Sequence, residues 1–110
     1  MIDQLKQQPK TFTKFVEWME KERNFIFLTS LQFEGFIPFI PDRELISLLV
    51  EFCDSEGYVI LLGFGSKWFW EIQDNNNAEE YTNRYETYNS RTEATKAGIK
   101  ESFKLMEKEL

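Results

Sequence analysis

At 110 residues and 13.2 kDa, the chain is sized for one domain with a single core, and its 42% hydrophobic and 16% aromatic content argues against a disordered chain. The net charge of −6 is concentrated in residues 42–90, where ten acidic side chains face three basic ones. That imbalance opposes nucleic-acid binding, whose non-specific affinity comes from neutralising phosphates, and favours solubility or a basic protein partner.

In chain order, residues 1–9 are polar and broken by Gln7-Gln8-Pro9, which reads as a flexible tail. From Thr11 to about Arg23, Phe12, Phe15, Val16 and Met19 recur at helical spacing. Residues 25–33 are aromatic and β-branched and predict a strand. The prolines of Phe36-Ile-Pro-Phe-Ile-Pro forbid a regular central strand, so that segment is expected as an extended connector. Asp42 is placed to cap a second helix with Leu45, Leu48, Leu49 and Phe52 on its buried stripe, ending before Gly57. Tyr58 to Leu62 reads as a central strand, Gly63-Phe-Gly-Ser as a turn, Lys67 to Gln73 as a strand and Glu80 to Tyr88 as another. Ser90 and Glu93 stand at capping-box spacing before a final helix starting at Arg91, with Ala94, Ala97 and Gly98 on a small face and Ile99, Phe103 and Met106 on a bulky one.

The order α-β-α-β-β-β-α predicts a single α+β domain over 1–110: a small antiparallel sheet of three to four strands packed against about three helices. The segment Tyr88-Asn-Ser-Arg-Thr-Glu-Ala-Thr-Lys-Ala-Gly-Ile-Lys-Glu-Ser-Phe103 resembles the C-terminal stretch of small uncharacterised proteins common in Bacteroidetes bacteria and their phages. The resemblance covers about a sixth of the chain. It implies an origin in such bacteria or their phages and carries no activity with it; an accessory role in a phage or mobile element is expected from the acidic central segment.

Chemistry-bearing patterns are sparse. The chain has no histidine, which removes the commonest general base and imidazole metal sites, and its lone cysteine forbids an internal disulfide or a thiolate zinc site. Cys53, beside Phe52 on a helix, is expected to act as a small hydrophobe. Gly63 and Gly65 lack the spacing of a phosphate loop, and Asp74, Glu79 and Glu80 match no calcium loop and read as a solvated acidic turn. No enzyme, cofactor or metal is therefore expected. No run approaches the ~20 apolar residues of a membrane span, and the N-terminus lacks the apolar core of a signal peptide, so the expected address is the cytoplasm.

The candidate partner surface is aromatic and acidic. Alternation puts Trp68, Trp70 and Ile72 on one face of their strand and Phe69, Glu71 and Gln73 on the other, with Tyr81, Tyr85 and Tyr88 on the next strand. Trp68, Trp70 and Tyr85, framed by Glu71, Glu79, Glu80 and Glu86, are the residues expected to meet a protein partner. The function expected is a non-catalytic, acidic protein-interaction module, monomeric or homodimeric. The alternative is a nucleic-acid-binding module using the aromatic face and the stripe of Lys96, Lys100, Lys104 and Lys108. That stripe is otherwise a solvated face opposite the packed side of the helix.

Overall fold

The computed structural model describes residues 2–22 and 40–110, the side chains at 84 and 85 excepted. The elements are α1 (Ile2–Leu5), α2 (Pro9–Glu22), α3 (Asp42–Ser55), β1 (Tyr58–Phe64), β2 (Trp68–Asp74), β3 (Glu79–Tyr88) and α4 (Arg91–Glu109). The fold is α+β, as the sequence predicts. Its described strands form an antiparallel meander in the order β1-β2-β3, with α3 set against β1 and α4 against β2 and β1. The strand expected at 25–33 lies outside the described residues, as does most of the connector expected before Pro41.

The N-terminus corrects one expectation. Residues 2–5, expected as part of a flexible tail, form a helical turn whose Leu5 is fully buried. Pro9 then opens α2, a position where a missing N–H costs no intrahelical bond. The end of α4 fixes that start in place: Glu107 accepts hydrogen bonds from Thr11 N–H at 2.8 Å, Thr11 Oγ1 at 2.9 Å and Lys10 N–H at 3.2 Å. A carboxylate here satisfies orphan donors and sits at the positive end of the helix dipole.

Three helices meet through one ring each. Phe15 of α2, Phe52 of α3 and Phe103 of α4 are fully buried, with centroids 5.3, 5.7 and 6.5 Å apart in tilted or edge-on contact. Such pairs add directional attraction to the burial of large apolar surfaces. Cys53 lies in the same core, fully buried, as its apolar setting in the sequence implies.

The sheet meets this core through alternate residues. Trp70 and Ile72 of β2 are buried, with Ile60 and Leu62 opposite Ile72 and Trp70 on β1. Helix α4 approaches closely because Gly98 has no side chain: a Cβ there would sit 2.9 Å from Ile60 Cγ2 and 3.5 Å from Trp70 Cβ. Ser90 caps α4 by accepting from Glu93 N–H at 3.1 Å.

Two other local expectations change. Asp42 is the first helical residue of α3, not its cap. Pro41 holds the cap position, and the Asp42 carboxylate accepts from Lys96 Nζ at 3.3 Å. Gly63 belongs to β1, where the ring of Phe69 occupies the space a side chain would need.

The β2–β3 hairpin is built on a buried carboxylate, which the expected solvated turn did not anticipate. Asp74 is 3% exposed and accepts from the Asn76 and Asn77 backbone N–H groups and from Asn77 Nδ2. Asn76 Nδ2 donates to the Glu56 carbonyl, which ties the hairpin to the end of α3. Gly57 turns that end with φ of 89°, a left-handed conformation where a Cβ would also strike Asn76.

Candidate functional site

Along most of its length β3 pairs regularly with β2, from Asp74 opposite Glu79 to Trp70 opposite Asn83. The register then slips, so that Trp68 faces Tyr88. The extra residues form a bulge, closed by Asn83: its Oδ1 accepts from Glu86 N–H at 3.0 Å and its Nδ2 donates to Glu86 Oε2 at 3.2 Å. Bulges of this kind re-aim side chains at a sheet margin. Here the odd slip turns Tyr88 toward the helix-covered face.

The bulge borders a groove of about 470 Å³ between α4 and β3. Glu93, Lys96, Ala97, Lys100, Glu101 and Lys104 line its helix wall, and Asn83, Glu86, Tyr88 and Trp70 complete it. The helix wall repeats at i, i+3, i+4, i+7, i+8 and i+11, a second stripe beside the buried one of Ala94, Gly98, Ile99 and Phe103. Consecutive lysines of the stripe stand one turn apart, roughly 6 Å along the helix axis.

The lysine stripe thus differs from its expected place on a solvated face. Lys96 and Lys100 are half-buried in the groove, while Lys104 is exposed at its margin and Lys108 does not line it. The ion pair of Lys96 with Asp42 joins α4 to the start of α3. Three ammonium groups face three carboxylates, Glu86, Glu93 and Glu101, so the lining carries both signs in equal number.

The residues expected to form the partner surface are dispersed. Trp70 is 7% exposed and belongs to the core, showing only its margin to the groove. Trp68 is half-buried at the β1–β2 turn, where it packs on Phe64 at 4.9 Å and lies under the Arg91 guanidinium at 6.0 Å. Glu71 is half-buried on the opposite sheet face, between Leu61 and Thr82 in register. Glu79 and Glu80 are exposed at the hairpin end. The Tyr81 hydroxyl donates to Glu79 at 2.5 Å, and this bond, with burial second, pushes the phenol up to about 12. Glu86 is exposed and reaches the groove. Tyr85 lies within the bulge, its side chain outside the described residues. Of the six whose side chains are described, only Trp70 and Glu86 share the groove.

Residue spacing held a signal for what was missed. The stripe from Glu93 to Lys104 is as regular as the buried stripe, and a helix with two such stripes has a second contact surface available. Pairing that stripe with β3 required the tertiary structure.

The lone thiol stands apart from this site. Burial, reinforced by the charge of Asp54, pushes the Cys53 thiol well above its ordinary range, so it supplies no thiolate at neutral pH. Ser102, whose hydroxyl acts on that thiol in the opposite direction, is itself buried without a hydrogen bond of good geometry. Among the described residues, no group of three Cys, Asp or Glu side chains is arranged to hold a metal ion, and no helix is long and apolar enough to cross a membrane. Comparison with known proteins yields no matching family model, no matching curated protein and no matching solved structure.

Proposed function

We propose that the chain is a non-catalytic interaction module that binds another protein through the groove between α4 and β3. The observation that carries this reading is the groove lining, in which Lys96, Lys100 and Lys104 stand with Glu86, Glu93 and Glu101 around Trp70 and Tyr88. A mixed-sign wall with aromatic rings suits a protein surface: charges set register and encounter rate, and rings supply contact area. A polyanion would favour a wall of one sign. Exposed Glu79, Glu80 and Glu86 along β3 add attraction for a partner that is basic overall. The non-catalytic half rests on the absence of histidine and on the inert setting of Cys53. An accessory role in a phage or mobile element, in a reducing cytoplasm, belongs to the same proposal.

The second reading is nucleic-acid binding, favoured by one observation: the lysine stripe and the rings of Trp70 and Tyr88 border the same groove. A photo-crosslinking amino acid at position 100, with one at position 82 on the far sheet face as control, separates the two in host lysate. A nuclease-resistant protein adduct from position 100 alone is the expected result. Adducts that vanish with nuclease would favour the second reading, and equal adducts from both positions would sink the groove as the site. Once a partner is isolated, alanine at Glu79, Glu80 and Glu86 is expected to slow association and flatten its salt dependence.

A further inference from the structure

Lys96, Lys100 and Lys104 follow one another four residues apart on α4, so each ammonium has a like charge one turn away. Such repulsion costs a helix stability unless an opposite charge offsets it. Glu93 stands three residues before Lys96, and Glu101 and Glu107 stand three on either side of Lys104. The positions three and four from Lys100 hold Lys96, Ala97, Phe103 and Lys104, none of them acidic. Lys96 also meets Asp42, whereas among the described residues Lys100 and Lys104 have no ion pair. Lys100 is half-buried in the groove wall all the same. On the strand wall, Asn83 Nδ2 holds the Glu86 carboxylate at 3.2 Å. The width of the groove decides what fits between them. From Glu93 to Lys104 the helix wall is roughly 16 Å long. A volume of about 470 Å³ over that length leaves a cross-section of roughly 30 Å², or about 5 Å across. That is the spacing of one strand from the next, about 4.8 Å, and half the roughly 10–12 Å of a helix with its side chains.

Taking the groove as the protein-binding surface proposed above, we infer that it holds an extended segment of the partner about five residues long, with carboxylates at alternate positions and basic residues between them. In an extended chain, successive side chains point to opposite sides, and residues i and i+2 stand roughly 6.6–6.8 Å apart. Lysines one helical turn apart stand roughly 6 Å apart, so alternate carboxylates keep step with the row on α4. The middle carboxylate meets Lys100, where no acidic neighbour on the helix competes for the charge. The intervening basic side chains point the other way, to the wall that carries Glu86. The rings of Trp70 and Tyr88 border the same groove and add contact area. A helix with carboxylates four residues apart matches the lysine spacing equally well, but it is twice as wide as the groove.

Titration of the isotope-labelled full chain with short peptides, followed through its backbone amide shifts, tests the inference. The probe is Ala-Glu-Lys-Glu-Lys-Glu-Ala. Its isomer Ala-Glu-Glu-Glu-Lys-Lys-Ala keeps composition and net charge but loses the alternation. The alternating peptide should give saturable shifts at residues 83–88 and 93–104, and the isomer should bind more weakly by roughly fivefold or more. Lys100→Glu should weaken the alternating peptide by more than roughly tenfold, and Glu86→Lys should act in the same direction by less. Lys100→Gln, which removes the charge without reversing it, decides the matter if Lys100→Glu fails to fold. Thr82→Ala, on the far sheet face, should change nothing. Equal affinity for the two peptides, no saturable shift, shifts centred outside the groove, or binding that survives both Lys100 variants would overturn the inference. In that case, a position-100 photo-adduct that is still a protein would leave the groove as the contact surface for a partner of another shape. Loss of that adduct would remove the groove reading as well.

Discussion

β1 and β3 both flank β2, yet β1 has no charged residue in seven, whereas β3 carries Glu79, Glu80, Arg84 and Glu86 in ten. The regular strand has two helices behind it: α3 packs on β1, and α4 comes close enough to touch Ile60 across Gly98. The charged strand lies beside α4 with a groove between them, and its register breaks at the bulge. The difference separates two uses of a margin of the described sheet. Close helix packing requires a regular strand, because each inward side chain must meet a fixed partner. A margin that leaves space beside its helix tolerates extra residues, and those residues shape the groove.

The largest expected effect tests the tight side. Gly98→Val places a side chain against Ile60 and Trp70, and overpacking of this kind costs about 1–3 kcal/mol. Thermal unfolding should shift down accordingly, and native-state hydrogen exchange should rise in β1 and β2 before β3. Equal loosening of all three strands would mean that the two margins share one packing unit.

The next effect tests the other side. Asp74→Ala removes the acceptor for Asn76, Asn77 and the hairpin backbone, at a cost of about 1–2 kcal/mol, because the exposed asparagine donors can turn to water. Exchange should rise first in β3 here, the reverse of Gly98→Val. The two variants lie far apart in contacts, so their costs should add. A cycle that departs from additivity would show that the hairpin and the helix contact are coupled.

The same contrast explains what the sequence made legible. The cap at Ser90, the alternation of Trp70 and Ile72 and the stripe of Ile99 and Phe103 are local patterns with one physical outcome each. The groove is not local. It depends on a slip in pairing between β2 and β3, and a plain period-two reading places Tyr88 opposite in facing to Tyr81, when both lie toward the helices. Trp70 and Glu86 were therefore legible as candidates without the wall of lysines that joins them. Asp42 shows the converse: a residue suited to capping is the first residue of α3, with Pro41 at the cap position, and its carboxylate meets Lys96, 54 residues away, a contact no local pattern announces.

The smallest effect concerns the contact that belongs to neither margin. Glu107 joins α4 to the start of α2. Burial raises its carboxyl, but hydrogen bonds from Thr11 and Lys10 outweigh that and hold it below the ordinary value. A lowered folded pKa means that the contact contributes fully at neutral pH and is lost as pH falls through that value. Glu107→Gln keeps an acceptor but loses the charge, so it should cost about 1 kcal/mol or less at pH 7. The gap between variant and wild type should narrow as pH drops below about 4.3, the ordinary glutamate value. Denaturant unfolding at neutral and acid pH measures it, and a constant gap would mean that shape alone holds α2, with the carboxylate charge contributing nothing. Because Glu107 does not line the α4–β3 groove, the variant should also leave partner capture unchanged, which makes it the control against which the groove is read.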